Sequence, residues 1–209
     1  MSKATVLSHM SEIVRGRPRN PALDTAIVNA TEAVLLSDGY AAVNIDRVAK
    51  LAGTTRAAIY RRAKTRGELV VGLLVSRFGV DPAPDTGELH QDLRHLQELQ
   101  RDFFIDPVIQ AALAGVLSDL RADDHLGAVF YARFMAPRRR SVAAMLARAT
   151  DRGEIPLPAE PNIVSDLLTG PLLLRAVMPP TGPIDDALLN ATVRAALNAC
   201  SPLAASDGG

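Results

Sequence analysis

The sequence predicts an all-α protein, on three observations. Apolar residues make up 48% of the 209-residue chain but aromatics only 4%, with no Trp, so the core must be Leu, Val and Ala; Ala and Leu are strong helix formers. Apolar positions recur at helical spacing along most of the chain. Few apolar runs of β-branched residues alternate with period two. The length suits one large or two small domains with a buried core, and 22% charged residues is ordinary for a soluble globular protein.

The net charge is zero but unevenly spread. Residues 1–79 carry 12 Lys+Arg against 6 Asp+Glu, and residues 80–209 carry 11 against 17. A basic end on an acidic body points to a polyanionic partner at one end only. The lone cysteine, Cys200, makes no intramolecular disulfide, which implies a reducing compartment, and its place on an apolar stripe marks a core thiol. No long apolar run follows Lys3, and the apolar run 69–75 is far too short to span a membrane. A cytoplasmic protein with no membrane partner is expected.

Residues 1–19 read as a flexible basic leader, ending in Arg15-Gly16-Arg17-Pro18-Arg19. Asn20-Pro21 starts the first helix, with Asn as cap and Pro at the first helical position. Asp24 complements its dipole, Leu23, Ile27, Ala30, Val34 and Leu35 fall on one face, and Gly39 stops it. Asn44 can cap a short second helix with Ile45, Val48 and Ala49 on its apolar face. Gly53 supplies a sharp turn. Thr54 or Thr55 caps a third helix to about Arg62, with Ala58 and Ile59 inward. Two short helices joined by a glycine turn read as helix-turn-helix. A fourth helix runs from about Thr65 to Phe78, before the break Asp81-Pro82-Ala83-Pro84-Asp85.

Helices follow over 89–104, 107–120, 125–152, 162–178 and 184–200. Pro137 must kink or divide the third of these, and Gly170-Pro171 bends the fourth. About nine helices are expected in total, with residues 202–209 as a disordered tail.

The stretch Gly39-Tyr40, then Asn44-Ile45-Asp46-Arg47-Val48-Ala49-Lys50-Leu51-Ala52-Gly53-Thr54-Thr55-Arg56-Ala57-Ala58-Ile59-Tyr60, resembles the head of the TetR family of transcription regulators. Order and spacing match over roughly residues 21–70. There are two departures. Ala63 stands where an aromatic is usual, which is expected to loosen the next helix against the head. Thr65-Arg66-Gly67-Glu68 replaces a Ser-Lys-Glu-like cap, though Thr65 can still cap. The body is similar to one C-terminal subgroup of the family at Ala136-Pro137-Arg138-Arg139, Arg152-Gly153-Glu154-Ile155 and Asp166-Leu167-Leu168-Thr169-Gly170-Pro171-Leu172. The resemblance places the boundary inside the fourth helix. It implies a three-helix DNA-binding domain over 20–66 and a larger helical bundle over 67–201 for ligand binding and dimerisation.

In a helix-turn-helix the second helix enters the major groove, its first residues facing the bases. Arg56 is the best base reader, because a guanidinium bonds guanine bidentately. Thr54 and Thr55 suit bases, phosphates or capping, and Ala57 suits a thymine methyl. Tyr60, Arg61 and Lys64 are candidate phosphate contacts, which position without specifying. Asn44 offers a phosphate contact at a helix start, and Arg17 and Arg19 suit the adjacent minor groove. Arg138-Arg139-Arg140 reads as an ion-pairing helix start rather than a DNA patch.

One head reads only a few base pairs, so double-stranded operator DNA calls for a homodimer. The resemblance implies a four-helix bundle of the last two helices with their copies, and Leu167, Leu168, Leu172, Leu188, Leu189, Val193 and Leu197 are its candidate interface. The resemblance also implies a small apolar effector that releases the DNA. Phe103, Phe104, Phe130, Phe134, Met135 and His125 are the candidate pocket; core packing is the plainer reading of the Phe and Met spacing.

No phosphate loop, dinucleotide fingerprint, nucleophile elbow or Cys/His metal cluster occurs in the sequence. A non-enzymatic regulator, without metal or cofactor and with repression as its mode, is therefore the expectation. The alternative is a helical interaction protein whose head does not read DNA.

Overall fold

The computed structural model describes residues 20–79, 83–156 and 160–200, and among these there is no strand. The leader with Arg17 and Arg19, and the C-terminal tail, lie outside the described residues. Ten α-helical segments follow one another: α1 Pro21–Asp38, α2 Ile45–Leu51, α3 Arg56–Tyr60, α4 Arg66–Arg77, α5 Leu89–Ile105, α6 Pro107–Ala122, α7 Asp124–Phe130, α8 Ala136–Asp151, α9 Pro161–Val177 and α10 Asp186–Cys200. A π-helical turn, Tyr131–Met135, makes α7 and α8 one continuous bent helix.

The helix ends fall where the capping chemistry puts them. Asn20 accepts from the Ala22 N–H at 3.1 Å at the head of α1, and Gly39 ends that helix with φ of +81°. Asp106, Asp123 and Asp185 accept from Val108, Leu126 and Leu188 N–H groups at 2.8, 3.1 and 3.0 Å, starting α6, α7 and α10. The predicted break at Pro137 falls in the first turn of α8, directly after the π turn, so its missing N–H lies within the continuous helix. The widened π turn just before it absorbs the mismatch.

Two apolar clusters hold the fold. The first joins the head to the body: Ile27, Val34, Val48 and Ile59 of α1–α3 pack with Val70, Leu73 and Leu74 of α4. Phe104, Ile109, Ala112 and Val116 of α5 and α6, and Leu172 of α9, complete it. The second lies at the far end, where Leu89, Leu93, Met145, Leu146, Val164, Leu168, Val193 and Ala196 bring α5, α8, α9 and α10 together. Cys200 closes this cluster at 3% exposure, and burial pushes its thiol pKa up, as a core thiol requires.

A buried polar bridge crosses the second layer. The Gln97 amide donates to the Leu168 carbonyl at 3.2 Å and to Gln100 at 2.6 Å, while Thr192 donates its hydroxyl to Gln97. Pro171 has no N–H for the Leu167 carbonyl of the α9 ladder, and the Gln97 bond goes to the next carbonyl, that of Leu168.

Candidate nucleic-acid interface

The head is built around a turn that only glycine closes without strain. Gly53 takes φ of +63° between α2 and α3, and the Thr54 N–H returns to the Ala49 carbonyl at 2.9 Å. Asn44 caps α2, its Oδ1 accepting from the Arg47 N–H at 2.9 Å, and its amide donates to the Ala42 carbonyl at 3.2 Å. Thr55 caps α3, accepting from the Ala58 N–H at 3.2 Å. The side chains of Asn44 and Thr55 are thus committed to the fold, while that of Thr54, half-buried, is not the cap.

Val48, Ala49, Ala58 and Ile59 turn inward and are buried. The opposite face of α3 presents Arg56, Ala57, Tyr60 and Arg61, with Lys64 just beyond, all exposed. The Tyr60 ring is 53% exposed, so it is not a packing residue. Arg62, one step on, turns the other way: it pairs with Asp24 of α1 and donates to the Ala58 carbonyl at 3.1 Å. Among the described residues Lys50, Arg61 and Lys64 have no carboxylate partner, so the charge of these three is uncompensated. Arg56 lies against Asp46 of α2.

Ala63 is 4% exposed and packed in the first cluster, so the smaller residue is taken up in the core. Thr65 caps α4 as expected, accepting from the Glu68 N–H at 3.1 Å, and Glu68 accepts from the Lys64 N–H at 2.9 Å.

The head is seated on the body through Tyr40, in the short turn after α1. Its ring lies against Gly115 of α6, where an added Cβ would stand 2.1 Å from the ring. The hydroxyl donates to Asp119 at 2.7 Å, and the Arg66 guanidinium lies 4.7 Å above the ring and 3.3 Å from the same carboxylate. Gly67 of α4 leaves room for Leu126 of α7, whose methyl would be 2.4 Å from a Cβ there.

A helix-turn-helix on an all-helical body is also what known proteins similar to this chain share. Residues 27–73 match the family described as "Bacterial regulatory proteins, tetR family", and residues 83–196 match "Tetracyclin repressor-like, C-terminal domain". The chain belongs to the TetR family of transcription regulators. An uncharacterized HTH-type transcriptional regulator of Mycobacterium tuberculosis is 31% identical over 180 residues, 83% of this chain and 87% of that protein. The DNA-binding transcriptional repressor TetR of Mycobacteroides abscessus is 27% identical over 191 residues, covering 87% and 93%. Among solved structures, the transcriptional regulator FadR of Bacillus subtilis in complex with stearoyl-CoA shares the fold, with a TM-score of 0.59 at 13% identity, covering 84% of this chain and 98% of that one. The relatives are regulators, not enzymes, and the helix-turn-helix is the family's DNA-binding element.

In this TetR-family body all five phenylalanines of the chain gather in one group. Phe103 is its hub, with ring centroids 5.1 Å from Phe78, 5.1 Å from Phe104 and 5.8 Å from Phe134, and Phe130 stacks on Phe134 at 5.0 Å. Met135 is half-buried against the first apolar cluster. His125 does not join it: its side chain is exposed on the first turn of α7. Phe78, which the sequence reading did not single out, ends α4 and ties that helix to the group.

For the last two helices of this regulator the sequence reading needs correction. Leu168, Leu172, Leu189 and Val193 are at most 1% exposed in the single chain, so they are its own core and offer no surface to a partner. Leu167, Leu188 and Leu197 are half-buried. The outward stripe of α9 is instead Ile163, Leu167, Gly170, Leu174 and Val177, with Ile163, Leu174 and Val177 at 54%, 49% and 41% exposure. Its three- and four-residue spacing was readable; which apolar face turns outward was not. Among the basic run, Arg139 pairs with Asp166 and bonds Asn162, as an ion-pairing role requires.

The Tyr40 seat gives the protein a test at high pH. Burial first, and then the hydrogen bond to Asp119, hold the Tyr40 hydroxyl well above the ordinary tyrosine range. The unfolded chain therefore loses this proton at lower pH than the folded one, and the stability it confers, complete below about pH 10, falls as pH rises beyond. Alkaline unfolding followed by helical signal is expected to be steeper for the wild type than for Tyr40→Phe; identical profiles would show that the hydroxyl is not held.

Proposed function

We propose that this chain is a ligand-responsive repressor that binds a palindromic operator as a homodimer and is released by a small, mostly apolar molecule. The observation that carries the reading is the outward face of α3, where Arg56, Ala57, Tyr60 and Arg61 stand exposed on a head fixed firmly to its body. Arg56 is the base reader, Ala57 and Thr54 touch base edges, and Tyr60, Arg61, Lys64 and Lys50 hold phosphates. Two heads in a dimer present their α3 helices to successive major grooves, about one DNA turn or ~34–36 Å apart. The outward stripe of α9, with the half-buried Leu188 and Leu197 of α10, supplies the apolar surface for the second copy. Repression agrees with the name of the Mycobacteroides relative, and cytoplasmic DNA is the target.

The effector site is the phenylalanine group. A molecule entering between Phe103, Phe130 and Phe134 displaces Phe78 and with it the end of α4, whose other end sits at the Tyr40 seat. Release follows if the molecule binds the displaced form better than the DNA-competent form. The stearoyl-CoA held by the Bacillus FadR supports a ligand with an apolar chain in this architecture.

The first test is a mobility shift with DNA from upstream of the chain's own gene. A specific complex is expected that weakens as salt rises, and Arg56→Ala is expected to weaken it about 5- to 100-fold, the worth of one bidentate guanine contact. If no sequence is preferred in a genome-wide selection of bound fragments, the head does not read DNA and the proposal fails.

A further inference from the structure

We propose that Asp46 is a specificity-determining residue of the head. Its carboxylate pairs with the Arg56 guanidinium on the Nε side, so that the two terminal nitrogens are offered to a guanine. The inference rests on the DNA-reading role proposed above for Arg56.

The pair spans the motif. Asp46 is in the first turn of α2 and Arg56 is the first residue of α3, and the glycine turn at Gly53 brings these two helix starts side by side. Contact is between Arg56 Nε and Asp46 Oδ1. Both side chains are open to water, at 67% and 58% exposure, so the pair adds little to stability.

A carboxylate in the first turn of α2 complements that helix's dipole, but on this face it also repels the phosphates that the neighbouring cations attract. The other acids of the described head do structural work. Asp24 pins Arg62 to α1, Glu32 holds Arg77 of α4, Asp38 holds Arg47, and Glu68 caps the start of α4. Asp46 alone is paired with a side chain on the outward face of α3.

The chemistry of the guanidinium says what that pairing does. It is a rigid planar fork with five N–H donors on a flexible stem. A carboxylate on the Nε side biases the orientation of the plane and leaves both terminal nitrogens, the pair that matches guanine O6 and N7. An arginine held this way loses little further freedom on reading its base. Arg61, which has no carboxylate partner, is left mobile, as suits a phosphate contact that carries no sequence information.

The test uses the full-length protein and its selected operator. The position read by Arg56 is the one where Arg56→Ala flattens the preference for guanine. At that position Asp46→Asn is expected to lose about tenfold of the preference, while binding to mixed-sequence DNA stays equal or tightens because a negative charge is gone. Asp46→Glu is expected to recover part of the preference, and in the Arg56→Ala background Asp46→Asn is expected to change it no further. Unchanged preference in a folded Asp46→Asn protein overturns the proposal. So does a loss confined to a different base pair, which would make Asp46 a reader in its own right. A wild type with no preferred sequence is a separate outcome: it defeats the DNA-reading role itself, and this inference with it.

Discussion

Leu73→Ala is expected to destabilise the protein by about 2–5 kcal/mol, the range for removing a leucine from a tightly packed interior. Leu73 is completely buried at the middle of α4. It belongs to the cluster that includes Val34 of α1, Ile109 of α6 and Phe104 of α5. The helix is flanked by α1, α6 and α7, so its surroundings cannot close over the lost side chain without shifting several elements together. At roughly 2–4 °C per kcal/mol for a chain of this size, thermal unfolding followed by circular dichroism should move down by about 5–15 °C. A shift below 2 °C would mean that α4 is not packed as described. DNA binding measured far below the transition should change little, because the α3 face lies outside this cluster.

Gly115→Ala is the second large effect, and its sign is opposite to the usual gain from replacing a helical glycine. In an open helix the substitution stabilises by up to about 1 kcal/mol. Here the new methyl would meet the Tyr40 ring at 2.1–2.6 Å, so the ring must leave its seat. Losing the seat also loses the Tyr40–Asp119 hydrogen bond and the guanidinium over the ring. Overpacking of this kind costs about 1–3 kcal/mol. The head is also expected to be held less firmly, seen as weaker operator binding at temperatures where the fold is intact. Tyr40→Ala in the same chain should relieve much of the cost, so the double variant is expected to be more stable than the sum of the two single changes implies. Strict additivity would show that ring and glycine do not meet.

Much of this fold was legible in the sequence because its signals are local. A cap is read from one side chain and the backbone two or three residues on, so the starts of α1, α2 and α4 and the stop at Gly39 follow directly. The reading face of α3 was legible for the same reason: a five-residue helix with Ala58 and Ile59 inward leaves Arg56, Ala57, Tyr60 and Arg61 outward. Contacts between distant segments were not. Tyr40 finds Asp119 across 79 positions, and nothing in either neighbourhood announces the other. Asp46 and Arg56 meet only because the turn at Gly53 folds one helix start back beside the other. The last two helices show the limit of periodicity itself. Both are apolar enough to pack on two sides, and spacing alone assigned Leu168, Leu172, Leu189 and Val193 to a partner when α5 and α8 of the same chain already cover that side.

The apolar cluster that runs from Val48 in the helix-turn-helix to Leu172 in α9 leaves the head without a complete interior of its own. A head cut off at residue 66 would turn Val34, Leu35 and Ile59 toward water where Val70 and Leu73 had stood, and a body without its head would bare α6. Melting therefore takes both together, and damage to the body also removes the part that grips DNA.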